Sequence, residues 1–255
     1  MNKVTPAKSI AAITLLAVLA LGCNVGKSST SSGTPSNDNK NSNSSSSSSS
    51  TSTTSTSSAP APDIAGKYEI SGTNPDGGSY SGSLEVITRG DVYQFRWNAG
   101  SQYDGIGIQN GKIVAVAYTT GANGEGCGVV DYDIRGDGSL TGKWGYWGKN
   151  EAGTEDATRT RGSGLTGEYE GMGKNPNGTS YKVKISVEPA GNLYRFVWSN
   201  NTDGFGIKRG SNVAVGIGGS RCGFVMYEVK SDGSLDGVWG GGGSDKTGTE
   251  KAIKQ

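Results

Sequence analysis

The chain of 255 residues contains no histidine. That absence removes Ser-His and Cys-His nucleophile pairs, imidazole general bases and the common zinc sites. Helix-type periodicity is almost missing as well, which leaves little room for a helical domain. The only long apolar run, Ile10 to Leu21, is too short to span a bilayer. The formal net charge is +1, and no stretch is basic enough for nucleic acid. Gly26-Lys27-Ser28 lacks the upstream glycine of a phosphate-binding loop, and Gly105-Ile106-Gly107 has no helix behind it to make a dinucleotide fingerprint. Paired carboxylate catalysis needs two acids in one cleft. Glu155 and Glu250 recur at matching strand positions, yet each repeat offers only one, and a salt bridge or a hydrogen bond at a barrel end accounts for them. The expectation is a protein that is no enzyme, with no cofactor and no metal.

What is present is glycine, 44 of them, set in short alternating segments between tight turns, the pattern of an all-β protein. The stretch Gly128 to Trp144, GVVDYDIRGDGSLTGKW, returns as GFVMYEVKSDGSLDGVW from Gly223 to Trp239. Other matches are Tyr68 with Tyr169, Asn74-Pro75-Asp76-Gly77 with Asn175-Pro176-Asn177-Gly178, and Gly153-Thr154-Glu155 with Gly248-Thr249-Glu250. These imply two repeats, residues 63–160 and 164–255. The first carries 8 Lys and Arg against 13 Asp and Glu, the second 11 against 9.

Lys3 and Lys8 precede the apolar run, which ends in small residues and a cysteine, as export signals do. Ala20-Leu21-Gly22-Cys23 resembles the lipobox of bacterial lipoproteins, although Ala20 stands where Leu is usual. That resemblance implies cleavage after residue 22, lipidation of Cys23, and anchoring by lipid to the bacterial outer membrane or cell surface. Residues 23–62 are dominated by Ser, Thr, Asn and Gly and read as a disordered tether, with a span on the order of 35 Å.

Within the first repeat, turns separate eight strand candidates: 66–72, 79–88, 92–98, 103–109, 112–119, 127–134, 139–146 and 153–159. Tyr93, Phe95 and Trp97 share one face of their strand, as Tyr194, Phe196 and Trp198 do in the second repeat. Tyr80, Leu84, Val86, Val130, Tyr132, Ile134, Leu140 and Trp144 join them in one core. Two tandem small antiparallel meander β-barrels of about eight strands each follow, with a β-sandwich as the alternative. A barrel of this size is filled by side chains or holds one small ligand. Trp97, Trp144, Trp198 and Trp239 therefore stand either in a packed core or as interior ligand contacts. The strand-and-turn stretches SDGSLDGVW and IRGDGSLTGKW resemble repeats of avidin-like and lipocalin-like barrels, where inward Trp residues line a pocket.

Cys127 and Cys222 occupy the same place in the two repeats, so an exported chain either bridges them or buries two thiols. Arg89-Gly90-Asp91 and Arg135-Gly136-Asp137 match the integrin attachment tripeptide and fall on hairpin tips. A meander would put both on one rim of the first barrel, although tight hairpins use Gly and Asp in any case. Lys182, Lys184 and Arg195 form a modest outward basic patch. The Asn-Pro-x-Gly turn, the Tyr-x-Phe-x-Trp strand and the Asp-Gly-Ser-Leu-x-Gly-x-Trp hairpin together resemble exported bacterial repeat proteins often labelled fibronectin-binding. The resemblance implies a lipid-anchored adhesin for a host matrix protein or integrin. The other expectation is a small-molecule binder using the barrel interiors.

Overall fold

The computed structural model describes residues 61–121, 123–241 and 243–255. The signal segment, Cys23 and the tether up to residue 60 lie outside the described residues. The first repeat forms β1 (Gly66–Thr73), β2 (Ser79–Arg89), β3 (Val92–Asn98), β4 (Gln102–Asn110), β5 (Ile113–Thr120), β6 (Gly128–Ile134), β7 (Leu140–Tyr146) and β8 (Gly153–Ser163). The second forms β9 (Thr166–Lys174), β10 (Ser180–Ala190), β11 (Leu193–Trp198), β12 (Asp203–Arg209), β13 (Asn212–Ile217), β14 (Gly223–Val229), β15 (Leu235–Gly240) and β16 (Thr247–Lys254). All neighbouring strands are antiparallel and the sheets close into two eight-stranded barrels. The sandwich alternative is thereby set aside.

The barrels do not coincide with the repeats. Barrel 1 runs β1-β16-β15-β14-β5-β4-β3-β2 and barrel 2 runs β10-β11-β12-β13-β6-β7-β8-β9. Each repeat gives five strands to one barrel and sends its last three to the other. Residues 63–160 and 164–255 therefore make two barrels jointly rather than one each, and the recurring hairpin is part of what is exchanged. The physical reason is that the two hairpins are near copies. In β5, Tyr118 faces Gly223 of β14. In β13, Ile217 faces Gly128 of β6. Either hairpin offers β5 the same kind of ladder, so strand pairing does not distinguish self-closure from exchange.

The single first-repeat core is corrected in the same way. Tyr68, Leu84, Val86, Phe95 and Trp97 pack with Val225, Tyr227 and Leu235 inside barrel 1. Val130, Tyr132, Leu140 and Trp144 pack with Tyr169, Phe196 and Trp198 inside barrel 2. One end of each barrel is corked. Ile64 and Leu165, just before β1 and β9, are buried in the two cores. Tyr68 Oη donates to the Ile64 carbonyl at 2.7 Å and Tyr169 Oη to the Leu165 carbonyl at 2.8 Å.

Exchange brings β5, β6, β13 and β14 to the middle of the molecule, where outward faces must also be apolar. Val114 and Val116 enter the barrel 1 core while Ala115 and Ala117 face the second barrel. Val213 and Val215 flank Ala214 in the same manner. The small alanines let the sheets approach, with Val92, Ile106, Val129 and Met226 filling the rest. Cys127 and Cys222, each just ahead of the strand that crosses over, are joined by a disulfide with Cα atoms 5.8 Å apart. The bond staples both crossings to one another.

Asp131 is the exception on this face. It lies between Ala214 and Lys143 in the ladder, is 1% exposed, and neither carboxylate oxygen has a hydrogen-bond partner. Its counterpart in the second repeat is Met226. Burial, with the charge of Asp133 adding to it, pushes the Asp131 carboxyl up to about 7 from 3.8.

Two outcomes are expected. Between pH 4 and 7 folded Asp131 holds a proton that the unfolded chain has released. Stability should therefore fall as pH rises across that window, by up to about 1.4 kcal/mol per pH unit, and level off above it. Asp131→Met should flatten the slope and raise stability at pH 8 by about 3 kcal/mol, as urea unfolding at pH 5 and pH 8 will measure. Replacing both cysteines by alanine opens a loop closed over a sequence separation of 95. By chain entropy that should lower the unfolding free energy by on the order of 4 kcal/mol.

Candidate binding sites in the barrel mouths

The end of each barrel opposite its cork is open and aromatic. In barrel 1 a cavity of about 240 Å³ lies over Glu250. In barrel 2 the corresponding cavity of about 430 Å³ lies over Glu155. Both mouths are at the end where β5 and β13 leave for the other barrel, since Tyr118 and Ile217 line them.

The floor of each mouth is one carboxylate held by three donors from separate strands. Glu250 Oε1 accepts from Trp97 Nε1 at 3.0 Å and from Tyr227 Oη, and Oε2 accepts from Tyr80 Oη at 2.9 Å. Glu155 Oε1 accepts from Trp198 Nε1 at 3.2 Å and from Tyr132 Oη, and Oε2 from Tyr181 Oη at 3.0 Å. Burial raises the Glu250 carboxyl above the usual carboxylate range, while its three donors pull it back. Burial and the adjacent carboxylate push all four phenols, Tyr80, Tyr132, Tyr181 and Tyr227, above the normal tyrosine value. They remain protonated at neutral pH and serve as donors. Beneath the floor the rings stack: Phe95 lies 5.5 Å from Trp97 and 6.1 Å from Tyr227, and Phe196 lies 5.8 Å from Trp198 and 5.9 Å from Tyr132.

Glycines set the aromatic walls. Tyr80 faces Gly72, Trp239 faces Gly248, Tyr181 faces Gly173 and Trp144 faces Gly153 across the ladders. A Cβ on Gly248 would meet the Trp239 indole at 2.5 Å, and one on Gly153 would meet Trp144 at 2.2 Å. Each ring lies where its partner's side chain would be, which is how large rings fit the mouth of so narrow a barrel. The buried indole nitrogens of Trp144 and Trp239 have no partner at full hydrogen-bond distance among the described residues, but each stands close enough to a tyrosine hydroxyl, Trp144 to Tyr181 and Trp239 to Tyr80, to hold that phenol's pKa down against the larger effect of burial.

All four expected interior tryptophans thus stand at the two mouths. Trp97 and Trp198 bind the carboxylates, and Trp144 and Trp239 present loosely engaged donors. Every mouth combines both repeats: Tyr80 and Trp97 come from the first and Tyr227, Trp239 and Glu250 from the second. Sequence reasoning passed over Tyr103, Tyr118, Tyr146 and Tyr181. Matching the repeats could have marked Tyr181 as the counterpart of Tyr80, whereas Tyr103, Tyr118 and Tyr146 have no aromatic counterpart in the other repeat.

The surface features fare differently. Arg89-Gly90-Asp91 joins β2 to β3 in barrel 1, whereas Arg135-Gly136-Asp137 joins β6 to β7 in barrel 2. The tripeptides are not on one rim, because β6 and β7 belong to the exchanged hairpin. Arg89 donates from Nη2 to Gln94 Oε1 at 3.0 Å. Asp91 accepts from the Ala152 amide at 3.3 Å and donates its own amide to the Asn150 carbonyl at 2.8 Å. Asp137 is spent on its turn, accepting from Ser139 N at 2.9 Å and Ser139 Oγ at 2.6 Å. Asp232 and Ser234 repeat the same contacts. The basic patch is largely paired: Lys184 meets Glu170 at 2.6 Å and Arg195 meets Asp203 at 3.0 Å. Lys182 lines the mouth of barrel 2. Among the described residues no cluster of three or more carboxylate, imidazole or thiol groups is placed to hold a metal ion.

Gly248→Ala should lower stability by about 1–3 kcal/mol through displacement of the Trp239 ring and shift the tryptophan emission. Gly241→Ala, where nothing lies within 4 Å of the added carbon, should change neither. Fluorescence and thermal melting of the two variants check this.

No protein-family model, no curated protein and no solved structure matches the chain, so the functional reading of these sites rests on their own geometry.

Proposed function

We propose that the protein is a non-enzymatic, lipid-anchored binding protein of the bacterial envelope that takes one small organic ligand in the mouth of each barrel. The observation that carries this reading is the pair of open, aromatic-walled mouths, each set over a buried carboxylate and each with a loosely engaged indole N–H, Trp144 or Trp239, at its wall. A buried donor short of a full hydrogen bond gains by meeting an acceptor on a guest. A concave, aromatic-walled cleft with a few convergent polar groups is what a small-ligand site requires. The two carboxylates support binding over catalysis, because each mouth has one, already held by three donors. The Cys127–Cys222 bond fits an oxidising compartment outside the cytoplasm. A tether between lipid and barrels would hold the mouths clear of the headgroups.

The adhesin reading, with fibronectin or an integrin as partner, keeps one observation in its favour: both tripeptides, Arg89-Gly90-Asp91 and Arg135-Gly136-Asp137, are exposed. It is the weaker reading. Asp137 serves its own turn, and the Arg89 and Asp91 side chains are engaged within the molecule.

Native mass spectrometry of the full-length chain, purified gently from its source, is expected to show up to two equivalents of a small organic mass. Trp144→Phe and Trp239→Phe should each remove one. A chain that carries no adduct, and whose tryptophan emission responds to no metabolite fraction, would end this reading.

A further inference from the structure

The two mouths share a floor but not their walls. In barrel 1, Tyr103 and Tyr118 complete the ring of aromatics; at the matching places barrel 2 has Thr202 and Ile217, while it has Tyr146 where barrel 1 has Gly241 and adds Lys182 at the rim. The barrel 1 rings stand at steep angles to one another. Tyr80 and Trp239 are 6.2 Å apart at 74°, Tyr118 and Trp239 6.5 Å at 76°, Tyr103 and Tyr118 5.9 Å at 80°, and Trp97 and Tyr118 5.9 Å at 57°. Rings that meet this way line the mouth with edges as well as faces.

The only carboxylate in this mouth is Glu250, and no lysine or arginine lines it. Among the described residues no cation lies within ion-pair distance of Glu250. Its charge is met by three hydrogen bonds and by no opposite charge, a state that buried carboxylates rarely hold without a counter-ion. An aromatic-lined mouth over one carboxylate favours a positive guest, since aromatic faces attract cations most strongly when these are desolvated. Trp239 Nε1–H, only loosely engaged with Tyr80, is a donor that an oxygen on the same guest can take.

We infer that the barrel 1 mouth is a site for a compact organic cation, a quaternary or methylated ammonium that also carries a hydroxyl or carbonyl oxygen. The ammonium group sits among Tyr80, Trp97, Tyr103, Tyr118 and Trp239 above the Glu250 carboxylate, and its oxygen accepts from Trp239. The inference rests on the reading of the mouths as ligand sites and names the ligand class for one of them. Barrel 2, wider and with Lys182 at its rim, takes a different and more polar guest.

The test is a fluorescence and calorimetric titration of the full-length chain with choline and with 3,3-dimethyl-1-butanol, which has the same shape without the charge. Choline is expected to saturate one site and the neutral isostere to bind at least tenfold more weakly. Glu250→Gln should cost choline at least tenfold. Because that variant disturbs a buried hydrogen-bond hub, Tyr118→Ile, which copies the barrel 2 wall and leaves the carboxylate alone, should also cost at least tenfold while circular dichroism shows the chain still folded at the titration temperature. Equal binding of choline and its isostere would overturn the cation while leaving the mouth as a ligand site. Failure of choline to bind at all would overturn the cation, and the native mass spectrum then decides separately whether the mouth holds another guest.

Discussion

The constraint on which the rest of the molecule depends is that neither barrel can close without strands from the other repeat. β5 finds its neighbour in β14 and β13 finds its neighbour in β6, so the ring of hydrogen bonds in each barrel is completed across the sequence. Closure removes the exposed edges that a β-meander would otherwise present. Here it also fuses the two barrels, since each is built from strands of both repeats. The disulfide sits at the two crossings, the place where separation of the barrels would have to begin.

Much of the local structure was legible beforehand. The turns around Asn74-Pro75-Asp76-Gly77 and Asp137-Gly138 marked hairpins, and the alternation of Tyr93, Phe95 and Trp97 marked an inward face. The strand exchange was not legible, because the repeats are alike enough that β6 and β14 make equivalent ladders. One signal did point beyond a single barrel. Ile113-Val114-Ala115-Val116-Ala117 and Val213-Ala214-Val215 do not alternate with polar residues, and a strand without alternation is buried on both faces. The partner of the second face was the other barrel.

The candidate sites were half legible for a related reason. Four tryptophans and two glutamates recur at matched positions, which marks them as shared by both barrels without saying that each glutamate would accept from the tryptophan of its own barrel. Trp97 and Glu250 are separated by 153 residues and meet only because β16 was carried across. The glycines facing Tyr80, Trp144, Tyr181 and Trp239 look in sequence like bending points in tight strands. In the fold they are the space that those rings occupy.

Comparison of the two mouths separates what the fold needs from what a ligand could select. Glu250 with Tyr80, Trp97 and Tyr227 is matched by Glu155 with Tyr181, Trp198 and Tyr132, down to which oxygen each donor reaches. A network preserved this closely ties four strands together at the open end, where no cork can do so, and stability alone would explain it. Trp144 and Trp239 add less to that network. Each fills the space over a glycine, as a phenylalanine could, and its N–H is only loosely engaged, with the Tyr181 or the Tyr80 hydroxyl. The walls then differ where a ligand would be distinguished, at Tyr103 against Thr202 and Tyr118 against Ile217. Two sites with one floor and different walls fit two guests that share an acceptor group and differ in the charge or bulk that surrounds it.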